Sequence, residues 1–572
     1  MVPVSASAKM VFSTSTYDNF VSEKTSSQTR LFAPYGGHRD DFDVIIVGSG
    51  FGGGILADDL AEKIGQQKRI LMLEAGSYLY PTHIYNVCRF PNSSVAKNFA
   101  CRTFSQDGNE TSENYIHERP QLNFGGRSIW WSGLIPQIQP WELDFFPDKV
   151  RRDLEGGLLE NAGTMMNESH SMGTVAEQIV QRFNQSSLAQ DFVIRQTPRA
   201  VHQPYLQTSG APRDTFFTEP TGVFNTAELL INQVGLAPGV SHGDGPGLHL
   251  LLNKFVESID NNIPNSDLKY RVNTTDTLTS QPRSFRAKTV ILAGGSIESP
   301  KLLRRSSSVM NSLSPAVKSL VGVGLTDHPT TSELSSFVSH MGDLYIPRHA
   351  HAKIILYSKG LRGPNGEIKY PFNVEINVNH EYWHLRENDP SEPSHAELSG
   401  PSRIDFKFSF GNPVYGGNRM DGDQYVPRME FKNLSWASHL AGSRFPALAG
   451  WQKSIDEIWA VLNDISFRVM SEFKLNGRDA RPEGEAWFGK NGKGFGMATV
   501  HHAACSLRMP FRWTYNGQWE TESVVDEDLQ VRGMEGLYVC DMSVMPFSSA
   551  ANPVRTLAAL GLRLSERVAE RV

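Results

Sequence analysis

The sequence predicts an α/β protein with two parts, a parallel sheet covered by helices and a second, mostly antiparallel sheet. In DFDVIIVGSGFGGGILADDLAEKI (41–64), a short apolar run passes through glycines into helical spacing, and QKRILMLEAG (67–76) has the composition of another buried strand. This order of strand, helix and strand is that of a βαβ unit, whose strands pair in parallel. Segments 369–379, 402–410 and 427–436 alternate apolar and polar residues, which is typical of antiparallel strands.

The remaining segments place further elements around these two sheets. PRSFRAKTVILAGGSIESPKLLRRS (282–306) repeats the order of strand, glycine turn and helix, and residues 450–473 carry apolar residues at helical spacing. Residues 1–40 are rich in Ser and Thr without periodicity, which predicts a flexible arm. The polar, proline-containing span 380–402 predicts a loop that we interpret as a candidate lid over a site.

Composition argues against several classes of function. The 572 residues are 39% hydrophobic and carry a net charge of −6, so no basic surface favours a nucleic-acid partner. No apolar run approaches the roughly 18 residues of a membrane span, and no secretory leader is visible, so we expect a cytoplasmic protein. The four cysteines, Cys88, Cys101, Cys505 and Cys540, lack C-x-x-C spacing, so neither a disulfide framework nor a metal site is predicted.

Three glycines after the first strand form the pattern G-x-G-x-x-G at Gly48, Gly50 and Gly53. Such glycines allow a tight turn, a close approach of the backbone to a pyrophosphate, and close packing of helix against strand. Glu74 ends the next strand, where a carboxylate can accept the hydroxyl groups of an adenosine ribose. These features predict a bound dinucleotide at the start of the helix, and they leave FAD and NAD both open.

Five further segments with motif-like sequences follow along the chain. They are QLNFGGRSIWWSG (121–133), TVILAGGSIESPKLL (289–303), GVGLTDHP (322–329), HAACSLRMP (502–510) and YVCDMSVMPFSSAANPVRTLAAL (538–560). With the glycine loop, this ordered set resembles the glucose–methanol–choline (GMC) oxidoreductase family from residue 41 onward. The ending ANPVRTLAALGLRLSERV (551–568) is most similar to the pyranose-oxidase branch and its bacterial sugar-oxidising relatives.

The resemblance implies a Rossmann-like FAD-binding domain of discontinuous segments and an α+β substrate domain with a six-stranded antiparallel sheet. In this chain, residues 41–145, 221–335 and 481–572 would form the FAD-binding domain. Residues 146–220 and 336–480 would form the substrate-binding domain. Assembly into a homo-oligomer is compatible with this organisation.

The resemblance also implies which residues bind FAD. The loop 124–133 would lie along the isoalloxazine ring, Val256 would offer its backbone to adenine, and Asp541 would bind near the ribityl–pyrophosphate region. The expected cofactor-binding set is Gly48, Gly50, Phe51, Gly52, Gly53, Glu74, Gly125, Gly126, Ser128, Trp130, Trp131, Ser132, Val256, Ala293, Asp541, Asn552, Pro553 and Thr556.

One position in this set departs from the pyranose-oxidase pattern. Those enzymes carry a histidine that bonds covalently to the flavin, and this chain has Trp130 at the corresponding position. The indole ring has no comparably nucleophilic nitrogen. We therefore expect non-covalent FAD.

Two adjacent histidines are candidates for a catalytic base. When the methionine of the family pattern H-x-x-G-T-x-x-M-G is aligned with Met509, the pattern places the base at His502, with His501 as the alternative. Cys505 and Ser506 then replace the usual glycine and threonine. The partner position is Asn552. Oxidation of an alcohol removes a hydroxyl proton and moves a hydride to flavin N5, so an imidazole suits the base and a neutral amide suits the group that holds the oxygen.

These residues imply FAD-dependent oxidation of a hydroxyl group on a small polar substrate. The branch resemblance favours a sugar or glycoside that gives a keto-sugar, with O₂ or another electron acceptor. The alternatives are a non-sugar alcohol, a redox-neutral lyase or decarboxylase on the same fold, and a flavoprotein with a binding role, against which the pair His502 and Asn552 argues. We interpret His328, in TDHP, and Cys505 as structural residues.

Overall fold

The structure is a computed structural model of the chain. It describes residues 39–78, 83, 105–106, 120–170, 173–202, 221–236, 245–261, 263–264, 266–328, 330, 334–347, 350, 352–359, 361–362, 368–369, 372–379, 401–411, 414, 417–430, 465, 468–473, 501–512 and 519–572. The predicted arm up to residue 38, the predicted loop over 380–400 and most of the predicted helix 450–473 lie outside these residues.

Two sheets contain the longer strands. In chain order the strands are β1 (Asp41–Val47), β2 (Arg69–Leu73), β3 (Phe192–Gln196), β4 (Gly247–Leu251), β5 (Lys254–Asn261), β6 (Tyr270–Asp276), β7 (Pro282–Leu292), β8 (Leu334–Val338), β9 (Ala352–Ser358), β10 (Phe372–Val378), β11 (Ser402–Phe410) and β12 (Leu537–Val539). Short strands outside these sheets are Ser105–Gln106, Glu168–Ser169, Arg199–His202, Thr221–Val223, His340–Met341, Leu344–Tyr345, Leu361–Arg362, Ile368–Lys369, Arg419–Asp421, Arg428–Glu430, Phe511–Arg512 and Trp519–Glu520.

The first sheet has seven strands in the order β4-β2-β1-β7-β6-β5, and β12 pairs with the end of β7. Strands β1, β2, β4, β7 and β12 run parallel, whereas β5 and β6 form an antiparallel extension at one edge. Val44, Ile45 and Ile46 of β1 have no exposed surface, so both faces of the sheet are covered there. This explains why the strand has a continuous apolar sequence instead of an alternating one.

The second sheet has five strands within the described residues, in the order β8-β11-β10-β9-β3, all antiparallel. Strands β10 and β11 alternate as the sequence predicts. The apolar residues of β10 and β11 pack with Ile179 and Phe183 of a helix into a separate core. The opposite face of these two strands carries polar residues, because successive side chains of a strand point to opposite faces.

Helices occupy the segments between the strands. They are α1 (Phe51–Ile64), α2 (Pro140–Leu143), α3 (Asp148–Asp153), α4 (Leu159–Met165), α5 (Thr174–Gln185), α6 (Leu188–Asp191), α7 (Thr226–Leu236), α8 (Gly295–Arg305), α9 (Ser307–Ser312), α10 (Pro315–Leu320) and α11 (Val554–Arg571), with a π-helical turn at Leu154–Leu158 and 3₁₀ turns at Gly126–Ile129 and Met542–Val544. Helix α11 packs against α1. Among the described residues, no helix combines the length and apolarity that a bilayer crossing requires.

Two sequence expectations differ from the fold in detail. The segment 427–436 contributes only the strand Arg428–Glu430, which pairs with Arg419–Asp421 and Ser105–Gln106 in a separate three-stranded sheet instead of joining the second sheet. The implied sheet of six strands has five in the part of the chain that the structure describes. Periodicity identifies a strand but does not identify its pairing partner, which depends on distant segments.

Candidate active site

The turn between β1 and α1 requires glycine at two of the three positions of the pattern G-x-G-x-x-G. Gly48 adopts φ +106°, and a Cβ there would lie 2.5 Å from the Ala293 carbonyl oxygen. At Gly53 a Cβ would lie 2.0 Å from the carbonyl oxygen of Gly48. Gly50 differs, because no atom lies within 4 Å of the place where its Cβ would be. The turn therefore packs tightly on its inner side and leaves open space over Gly50.

A cavity of about 220 Å³ lies against this turn. Of the predicted cofactor-binding residues, its lining includes Gly48, Gly50, Phe51, Gly52, Glu74, Gly126, Val256, Ala293 and Asp541. The start of α1 and the ends of β2 and β7 meet at this cavity. An exposed glycine backbone at a helix start, with a carboxylate at the next strand end, fits the adenosine and pyrophosphate of FAD.

Glu74 is held rigidly at the edge of the cavity. Its Oε2 accepts hydrogen bonds from the Ser49 backbone N–H (3.1 Å) and hydroxyl (2.6 Å), and its Oε1 accepts from the Gly76 N–H (2.8 Å). Burial raises the pKa of Glu74, while these donors act in the opposite direction. A carboxylate has about four acceptor sites, so the group retains capacity for a ribose hydroxyl.

Asp541 organises the opposite wall of the cavity. Its Oδ2 accepts from the Gly295 N–H (2.9 Å) and the Ser299 hydroxyl (2.5 Å), and its Oδ1 accepts from the Ser543 N–H (2.9 Å). Burial raises the pKa of this carboxyl, against the effect of its donors. Asp541 thus joins the start of α8 to the segment after β12, and both line the cavity.

The predicted flavin loop 124–133 is fastened to the glycine turn. The Gly125 N–H donates to the Ser49 hydroxyl (2.9 Å), and the Trp131 ring meets the Phe51 ring edge-on with centroids 4.6 Å apart. The Trp131 indole N–H donates to the Phe224 carbonyl oxygen (2.8 Å). These contacts hold the loop against the turn.

The other loop residues differ in burial and in the hydrogen bonds that their side chains already make. The Trp130 indole N–H donates to Asn123 Oδ1 (3.3 Å), and both the ring and Ser132 are half-buried. The Ser128 hydroxyl is fully buried, donates to the Gly125 carbonyl oxygen (2.6 Å) and accepts from the Thr226 N–H (3.0 Å). Ser128 therefore shapes the loop with its side chain.

Three distant segments converge at His502. Its Nδ1 lies 2.8 Å from Nε2 of His328, and the two rings meet edge-to-face with centroids 4.5 Å apart. Nδ1 of His328 lies 3.0 Å from the Ser549 carbonyl oxygen. His328 is fully buried and His502 half-buried, whereas His501 is exposed and has φ +61°.

The surroundings of this pair favour the neutral form of both rings by lowering their pKa values. Burial lowers the pKa of His328 to about 3, with a further contribution from Lys407. Burial also lowers the pKa of His502 well below its usual range, and His328, Lys407, His501 and Arg127 lower it further. An unprotonated imidazole is the form that can accept a proton.

Asn552 lies on the segment whose Ser549 carbonyl contacts His328. This segment is fixed from two sides: the Ser549 hydroxyl donates to the Ala551 carbonyl oxygen (2.7 Å), and the Ala550 N–H donates to Glu142 Oε1 (2.5 Å). Asn552 itself is half-buried. Pro553 and Thr556 are buried at the start of α11.

Cys505 and the acidic neighbour of His328 carry no separate chemistry in this arrangement. Burial raises the pKa of the Cys505 thiol, which disfavours a reactive thiolate, and the residue takes φ +72° where the family pattern has glycine. Ligand atoms of Asp327, His328 and His502 lie within 4.8 Å of one another. The two imidazoles use their facing nitrogens for their mutual hydrogen bond.

Sequence reasoning missed three residues of this site. His328 was interpreted as structural, yet its ring contacts His502 directly. Glu142, which holds the segment of Asn552, and Lys407, whose charge acts on both imidazoles, had no motif to mark them. For Lys407 the alternation of β11 predicted a polar face, but it could not predict what that face meets.

The comparisons with known proteins concern the family of one segment and the fold. Residues 476–561, which include His502, Asp541 and Asn552, match a family model described as GMC oxidoreductase. No curated protein matches the chain in sequence.

The fold has a solved counterpart. The structure is similar to that of pyridoxine 4-oxidase from Mesorbium loti, with a TM-score of 0.61 at 15% identity, over 92% of this chain and 99% of that chain. The α/β fold predicted from the sequence is confirmed by this likeness. At this identity the likeness concerns the fold and not the activity.

Proposed function

We propose that the protein uses non-covalently bound FAD to oxidise a hydroxyl group of a sugar or glycoside to the keto-sugar. The observation that carries the proposal is the position of His502, whose Nδ1 lies 2.8 Å from His328 Nε2 and whose Nε2 has no hydrogen-bond partner among the described residues. Burial lowers the pKa of this imidazole, which favours its neutral form. The cavity at the glycine turn, which we propose as the nucleotide site, lies against the hydrophobic core that also contains Ala504 and Cys505 near His502. Oxidation of an alcohol by flavin requires both a base and a binding site for the cofactor.

The residues have separate roles in this proposal. FAD, when bound, supplies the acceptor for the hydride that leaves the substrate carbon. His502 takes the hydroxyl proton, and the Asn552 amide donates a hydrogen bond to the substrate oxygen as negative charge develops there. His501 remains the alternative base; its exposed position favours it less.

The second sheet supports a polar substrate. The apolar residues of β10 and β11 are in the core of that sheet, so the alternating polar residues face the other way. In register, these polar pairs are Asn373 with Ser409, Glu375 with Lys407, and Asn377 with Asp405. Lys407 lowers the pKa of both site histidines, so this polar face lies toward them.

Two polar groups on this face lack partners. Both polar atoms of the Asn373 side chain and the Ser409 hydroxyl are buried without a hydrogen-bond partner among the described residues. Buried polar groups are normally satisfied, by protein, ligand or water. Ordered water or the hydroxyl groups of a sugar would satisfy them.

The test is reduction of the flavin without air. The purified protein, loaded with FAD, is mixed anaerobically with sugars, glycosides and non-sugar alcohols, pyridoxine among them, and bleaching of the flavin is followed. We expect bleaching with a sugar or glycoside, and re-oxidation by O₂, a quinone or a dye then identifies the acceptor. Bleaching by a non-sugar alcohol alone would replace the substrate class. Failure of every alcohol to bleach bound flavin would refute the oxidation and favour redox-neutral chemistry.

A further inference from the structure

We propose that His328 is a positioning residue that fixes the tautomer of His502, so that the free lone pair of His502 is on Nε2. The inference rests on the proposed function of His502 as the base, and it adds a residue to that function. It is carried by a chain of two hydrogen bonds that runs from the Ser549 carbonyl oxygen through His328 to His502.

The first step concerns the hydrogen on His328. A carbonyl oxygen can only accept a hydrogen bond, so at 3.0 Å from the Ser549 carbonyl oxygen the Nδ1 of His328 must carry the hydrogen. A neutral imidazole has one N–H. Nε2 of His328 is then an acceptor.

The second step transfers this constraint to His502. Its Nδ1 lies 2.8 Å from the acceptor Nε2 of His328, so this nitrogen must donate. The single N–H of a neutral His502 is therefore on Nδ1, and Nε2 keeps its lone pair. In the other tautomer two lone pairs would face each other at the same distance, and the hydrogen bond would be lost.

The charges around the pair keep this chain in its neutral form. His328 is fully buried, and the cationic groups that act on the two rings are Lys407, Arg127 and His501 when protonated. Asp327 is the nearby acid, and its carboxylate accepts from the backbone N–H of His328 (2.7 Å). A protonated His328 would present a second N–H to His502 and reverse its tautomer. Deep burial makes that state costly.

The arrangement also serves the charged form of the base. When the substrate proton arrives on Nε2, His502 becomes an imidazolium with both nitrogens protonated. Its Nδ1–H still donates to His328, so that hydrogen bond becomes charge-assisted. No proton has to move to His328, and the Ser549 carbonyl oxygen keeps its donor throughout.

The tautomer can be measured in the resting protein. FAD-loaded protein labelled with ¹⁵N-histidine is studied by NMR near neutral pH, and the His502 signals are assigned by their loss in H502Q. We expect a protonated Nδ1 and an unprotonated Nε2. A protonated Nε2 with an unprotonated Nδ1 would overturn the proposal. Since the measurement needs no turnover, it separates failure of this inference from failure of the proposed oxidation.

Two substitutions at His328 test the consequence. H328L removes the acceptor, so both tautomers of His502 should be populated and the limiting rate of flavin reduction should fall on the order of 10- to 100-fold, with little change in KM. A tautomer enforced in the wrong form can cost about 10⁴-fold in a serine protease, which bounds the effect. H328Q can still accept from Nδ1–H and should recover most of the rate.

The matched control is H249L, at a buried histidine of β4 whose Nε2 also lies near a backbone carbonyl oxygen, that of Gly245 (3.0 Å). It should reduce the flavin at the parent rate. A parent-like rate for H328L with full FAD content would overturn the proposal, as would equal losses in H328L and H328Q. If neither His328 variant folds, the tautomer of the parent protein decides.

Discussion

Glu142 should make the free energy of unfolding depend on pH, and the substitution Glu142→Gln should remove this dependence. The side chain is fully buried, its Oε1 accepts from the Ala550 N–H (2.5 Å), and its Oε2 accepts from the Gln139 N–H (3.2 Å). Burial raises the pKa of Glu142 to about 7, because the charged form loses its hydration, although both donors oppose the shift. Glu142→Gln keeps an acceptor oxygen and the side-chain shape but cannot ionise.

The magnitude follows from the two pKa values. The folded pKa of Glu142 is about 7 and its ordinary value is 4.5, a gap of about 2.5 pH units. Between these values the folded protein holds a proton that the unfolded chain has released, so stability falls as pH rises. The contribution of the Glu142 carboxyl to the free energy of unfolding is fully present below pH 4.5. At about 1.4 kcal/mol per pH unit, this contribution should decline by about 3 kcal/mol by pH 7 and then level off.

The assay is urea denaturation of the parent and E142Q at a series of pH values, with the same excess of FAD. The difference between their free energies of unfolding isolates Glu142, because other titrating groups and flavin binding affect both proteins alike. E160Q, at an exposed glutamate of α4, is the control and should follow the parent at every pH. A parent-minus-E142Q difference that stays constant from pH 4.5 to 8 would refute the reasoning.

Three further outcomes are expected. His502→Ala should lower the rate of substrate-driven flavin reduction at least ~10²-fold with FAD content unchanged, measured by anaerobic stopped flow; a parent-like rate would exclude His502 as the base. Denaturing the FAD-loaded protein should release free flavin into the supernatant, since Trp130 offers no nucleophilic ring nitrogen, and yellow colour in the precipitate would contradict this. Gly53→Ala should weaken FAD binding about 5- to 150-fold, the equivalent of ~1–3 kcal/mol of overpacking, because its Cβ would meet the Gly48 carbonyl oxygen at 2.0 Å. FAD binding is measured by titrating the apoprotein with FAD. Gly156→Ala, whose Cβ would meet nothing within 4 Å, is the control and should bind FAD as the parent does.

Local sequence signals predicted the parts of the fold whose conformation is decided locally. The strand β1, the glycine turn and α1 follow from an apolar run, a required positive φ at Gly48 and helical spacing, all within 24 residues. Strands β10 and β11 follow from strict alternation, and their bounds agree closely with the predicted segments. In each case the pattern states which face is buried, and burial dominates the local choice.

Contacts between distant segments could not be predicted in this way. The ring of His328 meets one segment 174 residues later and another 221 residues later. Glu142 meets the backbone of Ala550 across 408 residues. Sequence periodicity does not encode contacts across such separations. No local sequence pattern distinguishes a single buried acid or histidine from one at the surface. The resemblance placed His502 and Asn552 because it carries tertiary information that the residues alone do not.

If His502 is the base, as we propose, the convergence of these segments also indicates which partners should matter for the proposed proton transfer. Transfer from a neutral hydroxyl to neutral His502 creates a negative oxygen beside a positive imidazolium, and the net charge does not change. The positive potential of Lys407 and Arg127 disfavours the imidazolium but favours the oxygen anion next to it. When such a cation lies farther from the ion pair than the two charges of the pair lie from each other, the two effects largely cancel. Hydrogen bonds made directly to each new charge do not cancel. The Asn552 amide at the oxygen and the His328 acceptor at Nδ1 should therefore influence the reaction more than the surrounding cations, even though the cations lower the pKa of the free imidazole.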